Sequence, residues 1–263
     1  MRKKVILALM VGFLLPIASF AWGPNGHRIV AEIAFNHLTP KARKAVIEIL
    51  GRQSMAMVAN WPDFIKSDTT HKYDHTNTWH YLDFPGGIDR AEFDKELAAA
   101  TGENLYTETQ AMIKQLKNRT LSKDEHVFAI TFLIHMMGDM HQPLHVGHDE
   151  DQGGNKIQVQ WFNNPSNLHR VWDEQLIDYQ QLSYTEYTKA LDIATAAEIK
   201  AYQSGSIADW MFESHVIADK IYGYTKPDSK LSYRYNYVFV NDLNTQLLKG
   251  GLRLAQVLNE IYK

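Results

Sequence analysis

Two stretches of the chain set a histidine and an aspartate four residues apart: His135-Met-Met-Gly-Asp139 and His169-Arg-Val-Trp-Asp173. On a helix such residues share one face, so each pair can converge on one point. Imidazole nitrogens and carboxylate oxygens are donors that zinc and related divalent ions accept. A core histidine hydrogen-bonded to a nearby carboxylate gives the same pattern, so neither pair decides the matter alone. The setting of the first pair favours a metal. His135 and Asp139 lie among Ile130, Phe132, Leu133, Ile134, Met136 and Met137, where charge is costly to bury unless it is paired or bound to an ion. His141-Gln142-Pro143-Leu144-His145 follows at once and brings two more imidazoles.

Earlier in the chain, Trp61-Pro62-Asp63 and Trp79-His80-Tyr81-Leu82-Asp83 add carboxylates and a histidine beside aromatic rings, which can exclude water or stack on a base. Packing of a loop on the core explains these two stretches equally well when they are taken alone. At Trp22-Gly-Pro-Asn-Gly-His27 a histidine follows a position expected to become a free α-amine, and both groups bind zinc once unprotonated. The chain has 12 histidines and no cysteine, which excludes disulfides, cysteine-held zinc, iron–sulfur clusters and thiol nucleophiles. His37, His71, His75, His126, His141, His148 and His215 carry no assigned role. His148-Asp149-Glu150-Asp151 reads as a solvated turn, and Glu213 as structural.

These residues must be positioned by elements that the rest of the pattern predicts. Residues 1–21 have the form of an export signal: Arg2-Lys3-Lys4, an apolar run over 5–15, Pro16, then Ser19 and Ala21 before a cleavage point. The apolar run is shorter than the roughly 20 residues of a membrane span. Without the three basic residues of that segment, 24 basic residues face 30 acidic ones, which disfavours a surface that binds polyanions through Lys and Arg alone. Apolar spacing predicts a helix from about Gly26. Thr39-Pro40 starts a second one that stops at Gly51. A long ordered loop is expected over 51–88, because Pro62, Pro85, Gly86 and Gly87 interrupt it. Further helices are expected over 90–116, after the capping-box sequence Ser122-Lys-Asp-Glu125, and over 167–180, 184–202, 206–222 and 240–261. One short strand or ribbon is expected over 156–161. The reading is an all-α fold, with residues 22–263 forming one mainly helical domain.

The ordered set Trp22 to His27, Trp61 to Lys66, His80 to Asp83, His135 to His145, Gly153-Gly-Asn155, His169 to Asp173 and Trp210 to Ser214 resembles the S1/P1 nuclease family of zinc-dependent, single-strand-specific nucleases. The absence of cysteine departs from many eukaryotic members. The resemblance implies a helical fold of the phospholipase C/P1 nuclease type and three Zn²⁺ ions. One ion would be held by Asp63, His80, His135 and Asp139, and a second by His145, His169 and Asp173. The third would use the amine and carbonyl of Trp22, together with His27 and Asp139. It further implies that Asp63 orients the nucleophilic water, that Lys66 stabilises charge on phosphate, and that Tyr81, Asp83 and Asn155 bind a base. Single-stranded DNA and RNA and 3′-nucleotides are the implied substrates, and the products carry 5′-phosphates. A periplasmic or secreted location is expected, with no stable membrane association and no protein partner implied. Two rival functions are a zinc-dependent phospholipase C-like phosphodiesterase and a non-catalytic zinc-binding protein. Dispersed ligands count against the latter, because storage proteins often use contiguous His-rich tracts.

Overall fold

The computed structural model describes residues 22–118 and 120–263; the expected export signal, residues 1–21, lies outside the described residues. α1 (Pro24–Asn36) begins with proline in its first turn and buries Ile29, Val30, Ile33 and Ala34. α2 (Pro40–Leu50) is capped by the Thr39 side chain, which accepts from the Ala42 amide, and it ends at Gly51 with φ +65°. Both boundaries follow the sequence signals, since proline lacks an amide that the first turn would leave unpaired anyway.

The stretch expected as a long loop is more ordered than that reading. It contains α3 (Met55–Val58), capped by Ser54, and α4 (Trp61–Phe64), with 3₁₀ turns at Ile65–Ser67 and Asp74–His80. Pro62 lies in the first turn of α4, where it starts a helix instead of breaking one. The helix expected over 90–116 is two, α5 (Arg90–Ala99) and α6 (Leu105–Leu116). Gly102 at φ +79° turns the chain between them, and Asn104 caps α6 in a box with Thr107. α7 (Lys123–Asp139) starts at the expected Ser122–Glu125 box and is buried from Ala129 to Asp139. A helix buried on all sides sits at the centre of its fold, and α7 packs against α1, α6 and α13.

The expected strand is β1 (Gln158–Trp161), but it is not alone. β2 (Asn164–Asn167) pairs with it antiparallel across a two-residue turn, Phe162-Asn163, with φ of +47° and +66°. β3 (Lys230–Leu231) pairs parallel on the other side, giving the order β2-β1-β3. β2 is invisible to strand propensity because it contains Pro165, which is tolerated at a sheet edge where its missing amide is not needed.

α8 (Leu168–Arg170), a π turn at Val171–Gln175 and α9 (Leu176–Asp178) run on as one helical stretch, as expected. The stretch 184–202 divides into α10 (Tyr184–Leu191) and α11 (Ala196–Tyr202), the second capped by Thr195. α12 (Ile207–Tyr224) follows its Ser206 cap. α13 (Tyr233–Ile261) begins seven residues before the expected 240; its first turns bury Tyr235 and Phe239, four apart, among polar neighbours. α1 lies along α13, where a Cβ on Gly251 would come 2.5 Å from Ile33. Glycine therefore permits the close approach of the two helices. The fold is mainly helical with one small sheet, and no helix among the described residues is long and apolar enough to cross a membrane.

Candidate metal centre

α7 delivers His135 and Asp139 to the middle of the molecule, both 0% exposed. The Asp139 carboxylate is ringed by four histidines from four different segments. Its Oδ2 lies 3.1 Å from His80 Nδ1 and 3.1 Å from His135 Nε2. Its Oδ1 lies 3.3 Å from His27 Nε2 and 3.6 Å from His145 Nδ1. His80 closes the 3₁₀ turn Asp74–His80, His27 is the fourth residue of α1, and His145 sits in a 3₁₀ turn at Pro143–Val146. The His27 ring stacks on that of His135 with centroids 3.9 Å apart.

Asp63 stands beside this ring. Its Oδ1 is 3.8 Å from both His80 Nδ1 and His135 Nε2, its Oδ2 is 4.0 Å from His27 Nε2, and Lys66 Nζ donates to Oδ1 at 2.8 Å. On the other side of His145, Asp173 brings Oδ1 to 3.4 Å from His145 Nε2 and Oδ2 to 3.1 Å from His169 Nε2. Three sets of side chains place donor atoms within 4.8 Å of one another: His27, His135 and Asp139; Asp63, His80 and His135; and His145, His169 and Asp173. These sets bring together every side chain that the resemblance named as a ligand, with His135 shared by two of them.

The rings are aimed by backbone. His135 Nδ1 meets the Ala59 carbonyl at 2.7 Å, His145 Nδ1 the His80 carbonyl at 2.7 Å, and His169 Nδ1 the Gly153 carbonyl at 2.6 Å. A carbonyl only accepts, so each Nδ1 carries the proton. In the neutral ring Nε2 is then left with a lone pair facing inward, the tautomer a metal ligand needs. Nε2 of His27, His145 and His169 and Oδ1 of Asp139 are buried without a hydrogen-bond partner. Buried polar atoms are nearly always satisfied, so a convergence of unsatisfied nitrogen and oxygen donors fits a divalent cation such as zinc.

The electrostatics agree. Burial alone would raise the Asp63 carboxyl, but His135, Lys66, His80 and His27 outweigh it and hold the group at about 2. Burial opposes charge on His145 as well, yet Asp139 and Asp173 prevail and push it up to about 9. Burial, aided by Lys66 and His135, lowers His80 to about 4.

The residues expected to bind a base lie beside this centre. Tyr81 is 46% exposed. Asp83 Oδ1 is buried without a hydrogen-bond partner, and burial pushes its carboxyl up to about 7 against the pull of His169 and His145. Asn155 Nδ2 donates to the Gln152 carbonyl at 2.9 Å. Trp22 is fully buried, and its indole donates to the Gly138 carbonyl at 2.7 Å. The Gly23 amide donates to the Asp173 carbonyl at 2.7 Å, so residues 22 and 23 lie between the end of α7 and the second His–Asp pair.

Some contacts escaped the sequence reading. Gln142 Nε2 donates to Asp173 Oδ1 at 2.5 Å, while its Oε1 accepts from the Leu144 amide. His148-Asp149-Glu150-Asp151 is not simply a solvated turn: His148 Nε2 bonds Asp219 Oδ1 at 2.7 Å, and Asp151 Oδ1 accepts from Tyr222. The partners lie about 70 positions away on α12, beyond the reach of local pattern. The Gly153-Gly154 pair was the available signal, because paired glycines mark backbone held in an unusual conformation. Glu213 pairs with Arg253 and Lys249, in keeping with its structural reading, and Arg253 also donates to the buried His141.

A family profile described as S1/P1 Nuclease matches residues 22–263. The chain is 30% identical to Endonuclease 3 of Arabidopsis thaliana over 98% of its own length and 94% of that protein. It is 28% identical to Nuclease P1 of Penicillium citrinum over 92% and 98%. A solved structure titled Alpha Toxin from Clostridium Absonum aligns with 93% of this chain and 67% of that one, at 15% identity and a TM-score of 0.47.

Proposed function

Because the chain belongs to the S1/P1 nuclease family, whose members are zinc-dependent hydrolases of phosphodiester bonds, we propose that it is an exported endonuclease of single-stranded DNA and RNA. It cuts the P–O3′ bond, leaves 5′-phosphates and removes the phosphate from 3′-nucleotides. Residues 1–21 act as its signal and residues 22–263 as one catalytic domain, released to the periplasm or beyond. The observation that carries the reading is the ring of four histidines around the fully buried Asp139.

On this reading the centre takes three zinc ions, one held by Asp63, His80, His135 and Asp139, one by His145, His169 and Asp173, and one by Trp22, His27 and Asp139; three clusters of these side chains could each hold a metal, which supports it. When bound, zinc supplies Lewis-acid activation of water and neutralises charge on the phosphate and the leaving 3′-oxygen. The chain's own side chains do the rest. Asp63, ionised at neutral pH, accepts a hydrogen bond from the attacking water and so orients it. Lys66, 2.8 Å from Asp63 and 18% exposed, is placed to meet a phosphate oxygen arriving from solvent. Metal charge held by these residues would help an acidic chain attract a polyanion.

The Tyr81 ring offers a stacking face, and the Asp83 carboxyl, next but one in the chain, is the candidate partner for a base edge. A base in a duplex must leave its stack to reach them, at a cost of roughly a few kcal/mol that is much smaller in a single strand. The test is to purify the chain beginning at Trp22, count zinc by elemental analysis, and assay single-stranded and double-stranded nucleic acid, a 3′-nucleotide and a phospholipid. Three zinc ions with faster cutting of single strands is the expected result. Phospholipid hydrolysis without nuclease activity, or zinc without either activity, would replace this reading by one of its two rivals.

A further inference from the structure

A line of short contacts runs from α12 to the back of His169. Asp219 and Tyr222, three residues apart on α12, both grip the segment that follows His145. Asp219 Oδ1 accepts from His148 Nε2 at 2.7 Å and from the Gly87 amide at 3.0 Å. The Tyr222 ring stacks on His148 with centroids 3.8 Å apart and planes at 13°. The Tyr222 hydroxyl donates to Asp151 Oδ1 at 2.9 Å, and the same oxygen accepts from the Gly154 amide at 2.5 Å.

The Gly154 N–H and the Gly153 C=O belong to one peptide unit, which is planar and points them in opposite directions. Asp151 holds one end of that unit. The other end is the carbonyl that accepts from His169 Nδ1 at 2.6 Å. Gly153 has φ +59°, and a Cβ there would lie 2.2 Å from the Leu144 carbonyl oxygen, so only glycine allows this orientation. Metal-binding histidines commonly donate their second N–H to a carboxylate or carbonyl that fixes the ring and strengthens it as a ligand. Here a carboxylate acts on the ring through an intervening peptide group.

We propose that Asp151, held in place by Tyr222, is a positioning residue for the ion bound by His145, His169 and Asp173: it fixes the Gly153–Gly154 peptide so that its carbonyl aims His169. This inference rests on the reading of those three residues as zinc ligands. Asp151 lies outside that ion's donor set, and its effect is on how tightly one ion is held.

The test uses chelator competition to measure the affinity of each zinc in the chain beginning at Trp22 and its variants, with thermal unfolding of the metal-free proteins as the control for folding. Asp151→Ala is expected to weaken one zinc about 10-fold or more, within the roughly 10- to 100-fold range of such outer contacts. That zinc is the one His169→Ala removes, and the double variant loses no more than His169→Ala alone. Asp151→Asn keeps an acceptor oxygen and should restore most of the affinity. Tyr222→Phe keeps the ring on His148, loses only the hydroxyl, and should weaken the same ion a few-fold. Should Asp151→Ala not fold, Tyr222→Phe decides, and unchanged affinity there overturns the proposal. A purely structural role would lower metal-free stability and leave the affinities unchanged. That result in Asp151→Ala, with His169→Ala losing one zinc, overturns the proposal alone. Unchanged zinc content in His169→Ala would overturn the ligand reading and this inference with it.

Discussion

Gly138 offers a way to disturb the candidate centre by one methyl group. It is the residue before Asp139, at the end of α7, and a Cβ there would lie 2.7 Å from His27 Nδ1, 3.1 Å from His27 Cε1 and 3.6 Å from Trp22 Cδ1. Ordinary contact begins near 3.4 Å, so the ring must retreat by about 3.4 − 2.7 = 0.7 Å. It has little room to do so, being fully buried and stacked at 3.9 Å on His135. Ligand distances at metal sites tolerate about 0.2 Å. Stability responds less, because alanine gains about 1 kcal/mol over glycine in a helix while overpacking costs about 1–3 kcal/mol. The net loss lies between nothing and about 2 kcal/mol, too little to unfold an ordinary domain. Gly138→Ala should therefore fold, lose one zinc and hydrolyse single-stranded substrate about 100-fold more slowly, the scale expected of a misplacement approaching 1 Å. Elemental analysis, metal-free thermal unfolding and a rate assay measure the three quantities. Gly223→Ala on α12, where a Cβ meets nothing within 4 Å, is the control and should keep all its zinc. Wild-type zinc and turnover in Gly138→Ala would refute the placement of His27 as a ligand.

Three further outcomes are expected. Asp83→Ala should weaken cleavage of nucleotides while sparing simple aryl phosphodiesters, and equal losses on both would remove Asp83 from base recognition. Adding Gly-Ser ahead of Trp22 should cost one zinc and most activity, because an amide nitrogen is a poor donor whereas a free α-amine with a pKa of about 7.7–8.0 gives up its proton to a metal; His27→Ala should copy the defect, and an extended chain matching the processed one in zinc and rate would exclude the amine. Zinc uptake at pH 7.5 should release a proton from His145, whose pKa is raised to about 9 in the metal-free chain; the stabilisation from that proton is complete below the unfolded value near 6.5 and is lost as pH rises through about 9. Binding heats measured in buffers of unequal ionisation enthalpy would show the release, and identical heats would contradict it.

The candidate ligands were more legible than the architecture that holds them. His135, Asp139, His169 and Asp173 stand out because a four-residue spacing on an apolar helix says which face they share, and α2 and α7 announce themselves through Thr39-Pro40 and Ser122–Glu125. Asp63 and His80 were different. Their spacing alone fitted loop packing, and only resemblance joined them to the helical pairs. Local pattern failed wherever a partner distant in sequence decides the outcome: β2 keeps Pro165 because it sits on an edge, and His148 and Asp151 are held by α12. Gln142, wedged against Asp173, has no signature beyond its place between two histidines.

The packing of α1 along α13 has a bearing on the order of events during synthesis. Ile33 meets Gly251, 218 positions further on, and the helix that carries His27 has its long contact surface on α13, the last of the described helices. Chains are produced from the N-terminus, and contacts between distant segments form slowly. The first of the described helices thus gains its largest contact late. α1 also packs on α3, α7 and α10, so His27 can approach Asp139 early, but its seat is completed only when α13 closes over α1, and shortening α13 should loosen the centre although that helix contributes none of the proposed ligands.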